Sequence, residues 1–193
     1  MGSKLNESRK DKIIRERIGN FDLYLYRSHQ LPKILKEWPH YSSNLGRLAK
    51  YLWQKYPDLV LLDIGANIGD TVALLKSVID LPIICVEGYE KYFTMLQKNI
   101  EQFQHVTAYQ YYLGEKNQTV SSVLNENKGS MTIDGSLLAE HISMITLDEF
   151  VRRHLSVLNV KLIKIDTDGF DLNIIAGGFE FLQNAHPVLF FEF

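Results

Sequence analysis

The chain has 193 residues, 46% of them hydrophobic and 23% charged, which suits one soluble globular domain with a sizeable core, with or without an extension. It contains no run of about eighteen apolar residues, which argues against a membrane-spanning helix, and residues 1–17 lack the apolar core of an export signal. The net charge of −2 is unevenly spread: residues 1–58 hold 12 Lys and Arg against 6 Asp and Glu, and residues 59–193 hold 9 against 17. The basic half has mixed charges and no interleaved aromatic stacking motif, so it reads as a solvated terminal helix and not as a nucleic-acid surface. The single Cys85 lies in a predicted strand and reads as a buried thiol in a reducing, cytoplasmic compartment.

Residues 1–17 read as a polar extension, frayed or loosely helical. Phe21, Leu23 and Leu25 alternate within Ile18 to Tyr26, predicting a short strand or hairpin arm. Leu45, Leu48, Ala49, Leu52 and Trp53 recur at helical spacing, closed by Pro57. Residues 18–58 together read as a cap over the carboxyl edge of a sheet. Tyr41 and Asn44 precede the helix, where they either reach a ligand or, for Ser43 and Asn44, cap it.

Residues 59–193 read as the main domain. Leu59-Val-Leu-Leu62 is apolar without alternation, as a strand buried on both faces is. Asp63, Gly65 and Gly69 follow, then a helical pattern from Val72 to Ile79. Strand, glycine turn and helix open a doubly wound α/β domain, whose ligand sits at the carboxyl ends of the strands. A side chain at Gly65 would block the backbone from a ligand, and Gly69 would let the helix pack close to the strand. The G-x-x-x-G spacing is not the dinucleotide fingerprint, and Asp63 and Asp70 beside it favour a cation over a phosphate. A second buried run, Pro82 to Val86, ends in Glu87, which is placed to accept both hydroxyls of a ribose.

Glu90 to Phe103 reads as an amphipathic helix and His105 to Tyr112 as the third strand, ended by Leu113-Gly-Glu115. Residues 116–144 are polar and glycine-broken, an insertion of two or three strands in which Gly129–Met131 and Ile142–Met144 pair. Thr146-Leu-Asp-Glu149 is a capping box, with each side chain satisfying the other's backbone amide. Val160 to Ile165 is the fourth strand and carries Lys164, the structural partner of a nearby carboxylate. Asp166, Asp168 and Asp171 crowd its end, Leu172 to Phe181 is a helix weakened by Gly177-Gly178, and Val188 to Phe193 is the fifth strand.

Leu62-Asp-Ile-Gly-Ala-Asn-Ile-Gly-Asp-Thr71, Val86-Glu-Gly88, Ile145-Thr-Leu-Asp-Glu149, Leu162-Ile-Lys-Ile-Asp-Thr-Asp-Gly169 and Pro187-Val-Leu-Phe-Phe-Glu192 resemble, in order, the motifs of the FkbM family of class I S-adenosylmethionine-dependent methyltransferases. The resemblance implies a Rossmann-like, mostly parallel sheet and the cofactor S-adenosyl-L-methionine. It places Asp63, Gly65, Asn67 and Gly69 around the methionine end, Glu87 on the ribose and the Leu113 turn near the adenine. Tyr112 stands where family members often have a small residue. The implied reaction is O-methylation of a hydroxyl on a sugar or other secondary metabolite. Methyl transfer demands alignment and, for a hydroxyl, a base. Asp166 is the candidate base, or else a supporting or capping residue. The site residues include no metal ligands, although Asp166, Asp168 and Asp171 together would suit Mg²⁺. His29 in the cap is either a base or structural.

The competing readings are a non-catalytic cofactor-binding module and an NAD(P)-dependent oxidoreductase, the latter lacking a Tyr-x-x-x-Lys pair. The expected partner is a small-molecule or carbohydrate acceptor, with neither nucleic acid nor membrane. The family's sheet has seven strands, so ending within strand five predicts that strands six and seven are absent. An exposed apolar edge at Pro187 to Phe193 then invites self-association.

Overall fold

The computed structural model describes residues 11–127, 130–134 and 140–191, the side chains of 121–140 excepted. Its centre is a parallel sheet of β3 (Val60–Ile64), β4 (Ile83–Val86), β5 (Val106–Tyr109), β10 (Val160–Ile165) and β11 (Val188–Phe191), in the order β11-β10-β3-β4-β5. Every residue of β3 and β4 is buried, because helices cover both faces, and a strand so placed has no reason to alternate. On one face Leu61, Ile83, Cys85 and Leu162 meet α2 (Ser43–Lys55), α3 (Asp70–Lys76) and α4 (Glu90–Ile100). On the other, Leu62, Ile64, Val86 and Ile165 meet α5 (Leu147–His154) and α6 (Asp171–Ala176). The result is a three-layer α/β fold of Rossmann type.

Residues 13–17, expected to be frayed or helical, are instead strand. β1 (Ile13–Ile18) pairs antiparallel with β2 (Phe21–Tyr26) through a turn at Gly19. Leu23 and Leu25 leave no surface exposed, and with Ile68, Ala73, Tyr92 and Met95 they form a third apolar cluster. One buried side chain fastens the hairpin. Asn99 of α4 donates to the carbonyls of Tyr24 and Ile68, both at 2.8 Å, and accepts from the Tyr24 amide at 2.7 Å. The hairpin therefore lies against α3 and α4, and α2 lies on a sheet face. The segment before α1 (Leu31–Glu37) reaches the carboxyl edge, where His29 meets Asn67.

Four further expectations change. The third strand of the main sheet ends at Tyr109; β6 (Tyr112–Gly114) belongs to a second sheet, pairing with β9 (Glu140–Thr146). Ile142–Met144 does not pair with the segment at Met131: both β9 and β8 (Ser130–Asp134) pair with β7 (Gln118–Asn127), whose polar sequence hid it, and Gly129 lies outside the described residues. Thr146 caps α5 by accepting from Glu149 N at 3.1 Å, but the Glu149 carboxylate is turned to Arg152 and Arg153, and Asn117 accepts the Thr146 amide instead. Finally, Gly177-Gly178 divides the predicted helix into α6 and α7 (Phe179–Ala185). A Cβ at Gly177 would fall 2.2 Å from the Gly114 carbonyl, so glycine lets this turn close on β6. Glu192 and Phe193 lie outside the described residues, and no helix among those described is long and apolar enough to cross a membrane.

Candidate active site

A cleft opens at the carboxyl ends of β3, β4 and β10, where the topology of such a sheet reverses direction. Gly65, Asn67, Glu87, Leu113 and Asp166 line it. Asp63 and Gly69 do not, and their places in the fold say why. Asp63 has no exposed surface and lies beneath the turn, 3.2 Å from Lys164 Nζ. Gly69 precedes α3 at φ +88° with its back to α4, where a Cβ would approach Leu96 Cδ1 to 2.9 Å. It serves the packing of the turn on a helix, not of a helix on the strand.

The constraint at Gly65 also differs from expectation. Its φ is +79°, and a Cβ there would stand 1.9 Å from the Asp166 carbonyl oxygen. The chain just past the end of β10 lies so near that no side chain fits, whatever ligand is bound. Asn67, at φ +49°, completes the turn in the left-handed region that asparagine tolerates. Its side chain meets the cap: His29 Nδ1 accepts from the Leu31 amide at 3.1 Å, which leaves Nε2 to donate to Asn67 Oδ1 at 3.2 Å. His29 thus steadies the turn.

Glu87 is 9% exposed at the tip of β4. Its Oε2 accepts from the Asn67 amide at 2.9 Å and its Oε1 from the Tyr89 amide at 2.8 Å, so both oxygens are oriented with lone pairs to spare. Burial pushes this carboxyl up to about 7, against the pull of the two amides. Glycine turn and acid are joined, because the amide that Glu87 holds belongs to the turn.

Beneath the cleft lies a buried ionic cluster. Lys164 Nζ is 3.1 Å from Asp166 and 3.2 Å from Asp63, yet neither Asp63 oxygen receives a well-directed hydrogen bond. Burial opposes the lysine's charge, but Asp63, Asp166 and Asp70 outweigh it and hold its pKa above the usual lysine range. Burial likewise pushes Asp63 up to about 6 against the pull of Lys164, and raises Asp70 at the start of α3. Asp171 is committed elsewhere: its Oδ1 accepts from the Thr167 amide and hydroxyl at 3.0 and 2.5 Å. Among the described residues no group of three or more His, Cys, Asp or Glu is arranged to hold a metal ion.

Aromatic groups form the remaining wall. Tyr89, Tyr92, Tyr111, Tyr112 and Phe170 line the cleft with Met144 of β9. Of these, the sequence pointed only to Tyr112; for Met144 the apolar alternation with Ile142 was the available signal. The Tyr112 ring covers Gly88 so closely that a Cβ there would lie 2.4 Å from Cδ1. The cleft holds about 90 Å³, far below the roughly 300–1,000 Å³ usual for small-molecule sites. A ligand of nucleoside size therefore needs part of this wall to move.

No curated protein matches the chain. The model of the methyltransferase FkbM domain, by contrast, matches residues 63–193, which begin at Asp63 and include the turn, Glu87, the lysine–carboxylate cluster and β11. With that match over more than half its length, the chain belongs to the FkbM methyltransferase family.

Proposed function

We propose that the protein is an S-adenosylmethionine-dependent methyltransferase that methylates a hydroxyl of a small-molecule or carbohydrate acceptor. The observation that carries this reading is Glu87: a buried carboxylate at the tip of β4, held by the amide of the glycine turn and facing the same cleft. That arrangement suits a vicinal diol, each hydroxyl donating to one oxygen. The donor set fits the cofactor. Glu87 would hold the ribose, Gly65 and Asn67 would border the methionine end, and Leu113, Phe170 and Ile174 would enclose the adenine once Tyr112 swings off Gly88. When bound, the cofactor supplies an electrophilic methyl group on a sulfonium.

The chain's own part is then alignment and proton removal. Asp166 is the residue for the second task. Its carboxylate is one-third exposed at the cleft and anchored from behind by Lys164, so it can accept an acceptor's hydroxyl proton while staying in place. Asp63 keeps that lysine charged and upright. Calorimetric titration with S-adenosylhomocysteine and with NAD tests the reading. Saturable binding of S-adenosylhomocysteine, lost in Glu87→Ala, is expected. Binding of NAD with no heat from S-adenosylhomocysteine would overturn it.

A further inference from the structure

A second cleft opens between residues 39–43, α2 and α3, and at about 480 Å³ it has the size of a small-molecule site. Its floor is apolar: Leu45 and Leu75 are buried beneath it, while Leu74 is half-buried and Val78 is 45% exposed. Its rim is basic. His40 stands on the loop, and Arg47 and Lys50 are one turn apart on α2, which directs them to the same side. Among the described residues no acidic side chain lines the cleft, and residues 38–57 contain none.

Several cations elsewhere in the molecule are paired: Arg15 and Arg17 share Asp22, Arg152 and Arg153 share Glu149, and Lys164 has its carboxylates. None of His40, Arg47 and Lys50 has an ion-pair partner among the described residues. Neighbouring like charges repel, and a bound anion relieves the repulsion. Tyr41 and Thr71, the residue after Asp70, bring this cleft toward the carboxyl edge. Tyr41 lines the cleft, while Asp70 and Asp166 are near enough to add to the effect of burial in pushing its hydroxyl up to about 12.

We propose that this second cleft seats the body of the methyl acceptor and that the acceptor is an amphipathic anion. Its apolar skeleton lies along Leu74 and Val78, its carboxylate or phosphate meets Arg47 and Lys50, and its hydroxyl points past Tyr41 to Asp166. This rests on the methyltransferase reading and narrows its acceptor. A neutral free sugar would leave the cations unpaired and the apolar floor wet. Residues 1–10 do not suit the cleft either, since Lys4, Arg9 and Lys10 against Glu7 give that segment the sign of the rim.

The test is calorimetric titration of the full chain with decanoate, decyl phosphate and decyltrimethylammonium below their micellar concentrations, and with S-adenosylhomocysteine in parallel. At least one of the two anions should bind, and the cationic amphiphile should bind at least about ten-fold more weakly. In Arg47→Glu/Lys50→Glu, both on exposed positions, the anion's affinity should fall at least about ten-fold while that of S-adenosylhomocysteine stays within about two-fold. Arg47→Gln/Lys50→Gln should fall between, with added salt weakening the wild type most. Equal affinity for both amphiphile charges, an unchanged affinity in the reversed variant, or no binding of either anion would overturn the proposal. The expected anion pattern without any binding of S-adenosylhomocysteine would overturn the methyltransferase reading and leave the preference of the cleft for anions standing.

Discussion

Replacing Lys164 by Met keeps the buried apolar stem and removes the charge that Asp63 faces. Asp63 has no exposed surface and no well-directed hydrogen bond, so the variant must either leave a carboxylate unpaired or protonate it. Protonation is the easier route. Starting from an ordinary value of 3.8, holding the proton at neutral pH spans about three pH units at ~1.4 kcal/mol each, about 4 kcal/mol in all. The loss on removing one partner of a buried ion pair is of the same size, about 3–5 kcal/mol. The sign with pH follows from the raised pKa. A carboxyl whose folded pKa lies above its unfolded one withdraws stability as pH rises between the two values. In the wild type that withdrawal stops near 6, where Asp63 ionises beside Lys164. In Lys164→Met it continues, so the two proteins should diverge by about 2 kcal/mol between about pH 6 and 7.5. Urea unfolding at about pH 5 and 7.5 measures this. A deficit under about 1 kcal/mol at the higher pH, or one that does not grow with pH, would refute the reasoning.

Glu87→Gln should weaken S-adenosylhomocysteine at least about ten-fold, since hydrogen bonds to a charged acceptor contribute roughly 1.5–3 kcal/mol each. Wild-type affinity should rise with pH through about 7, as Glu87 ionises, and the variant should lose this dependence; equal profiles in a pH series of titrations would reject the role. Gly65→Ala should lower stability by at least about 2 kcal/mol, from the φ of +79° and the approach to Asp166, and a wild-type Tm would contradict it. Tyr112→Ala should bind S-adenosylhomocysteine at least as tightly as wild type, because the ring fills part of the cleft; a ten-fold loss would show that the ring stacks on the ligand instead. Asp166→Asn should cut kcat with little change in cofactor affinity, whereas equal losses in both would make it a cofactor-binding or structural residue.

The central sheet was legible because its strands are buried on both faces: Leu59–Leu62 and Ile83–Val86 are unbroken apolar runs whose ends carry the acids. The hairpin at residues 13–26 was half legible. Phe21, Leu23 and Leu25 alternate, but β1 is Ile-Ile-Arg-Glu-Arg-Ile, an edge strand whose charged residues read as a solvated helix. β7 was illegible for a similar reason, since its polar residues and distant partners hide a strand that pairs on both sides. At the site, Gly65, Asn67, Glu87, Leu113 and Asp166 were visible as strand-end motifs, whereas most of the aromatic wall and Met144 were not. What could not be read was which neighbour constrains each one. That Gly65 answers to the Asp166 carbonyl, or that Asn117 takes the capping bond expected of Glu149, depends on contacts between segments dozens of residues apart.

A crystal structure of the chain with S-adenosylhomocysteine tests most directly whether one cleft, between the Gly65 turn and Glu87, holds S-adenosylmethionine. Both ribose hydroxyls should lie on the Glu87 carboxylate, the Tyr112 ring should be displaced from Gly88, and the sulfur should sit on the Asp166 side of the cleft. S-adenosylhomocysteine seated elsewhere, or seated here with Glu87 touching only its two backbone amides, would contradict that assignment.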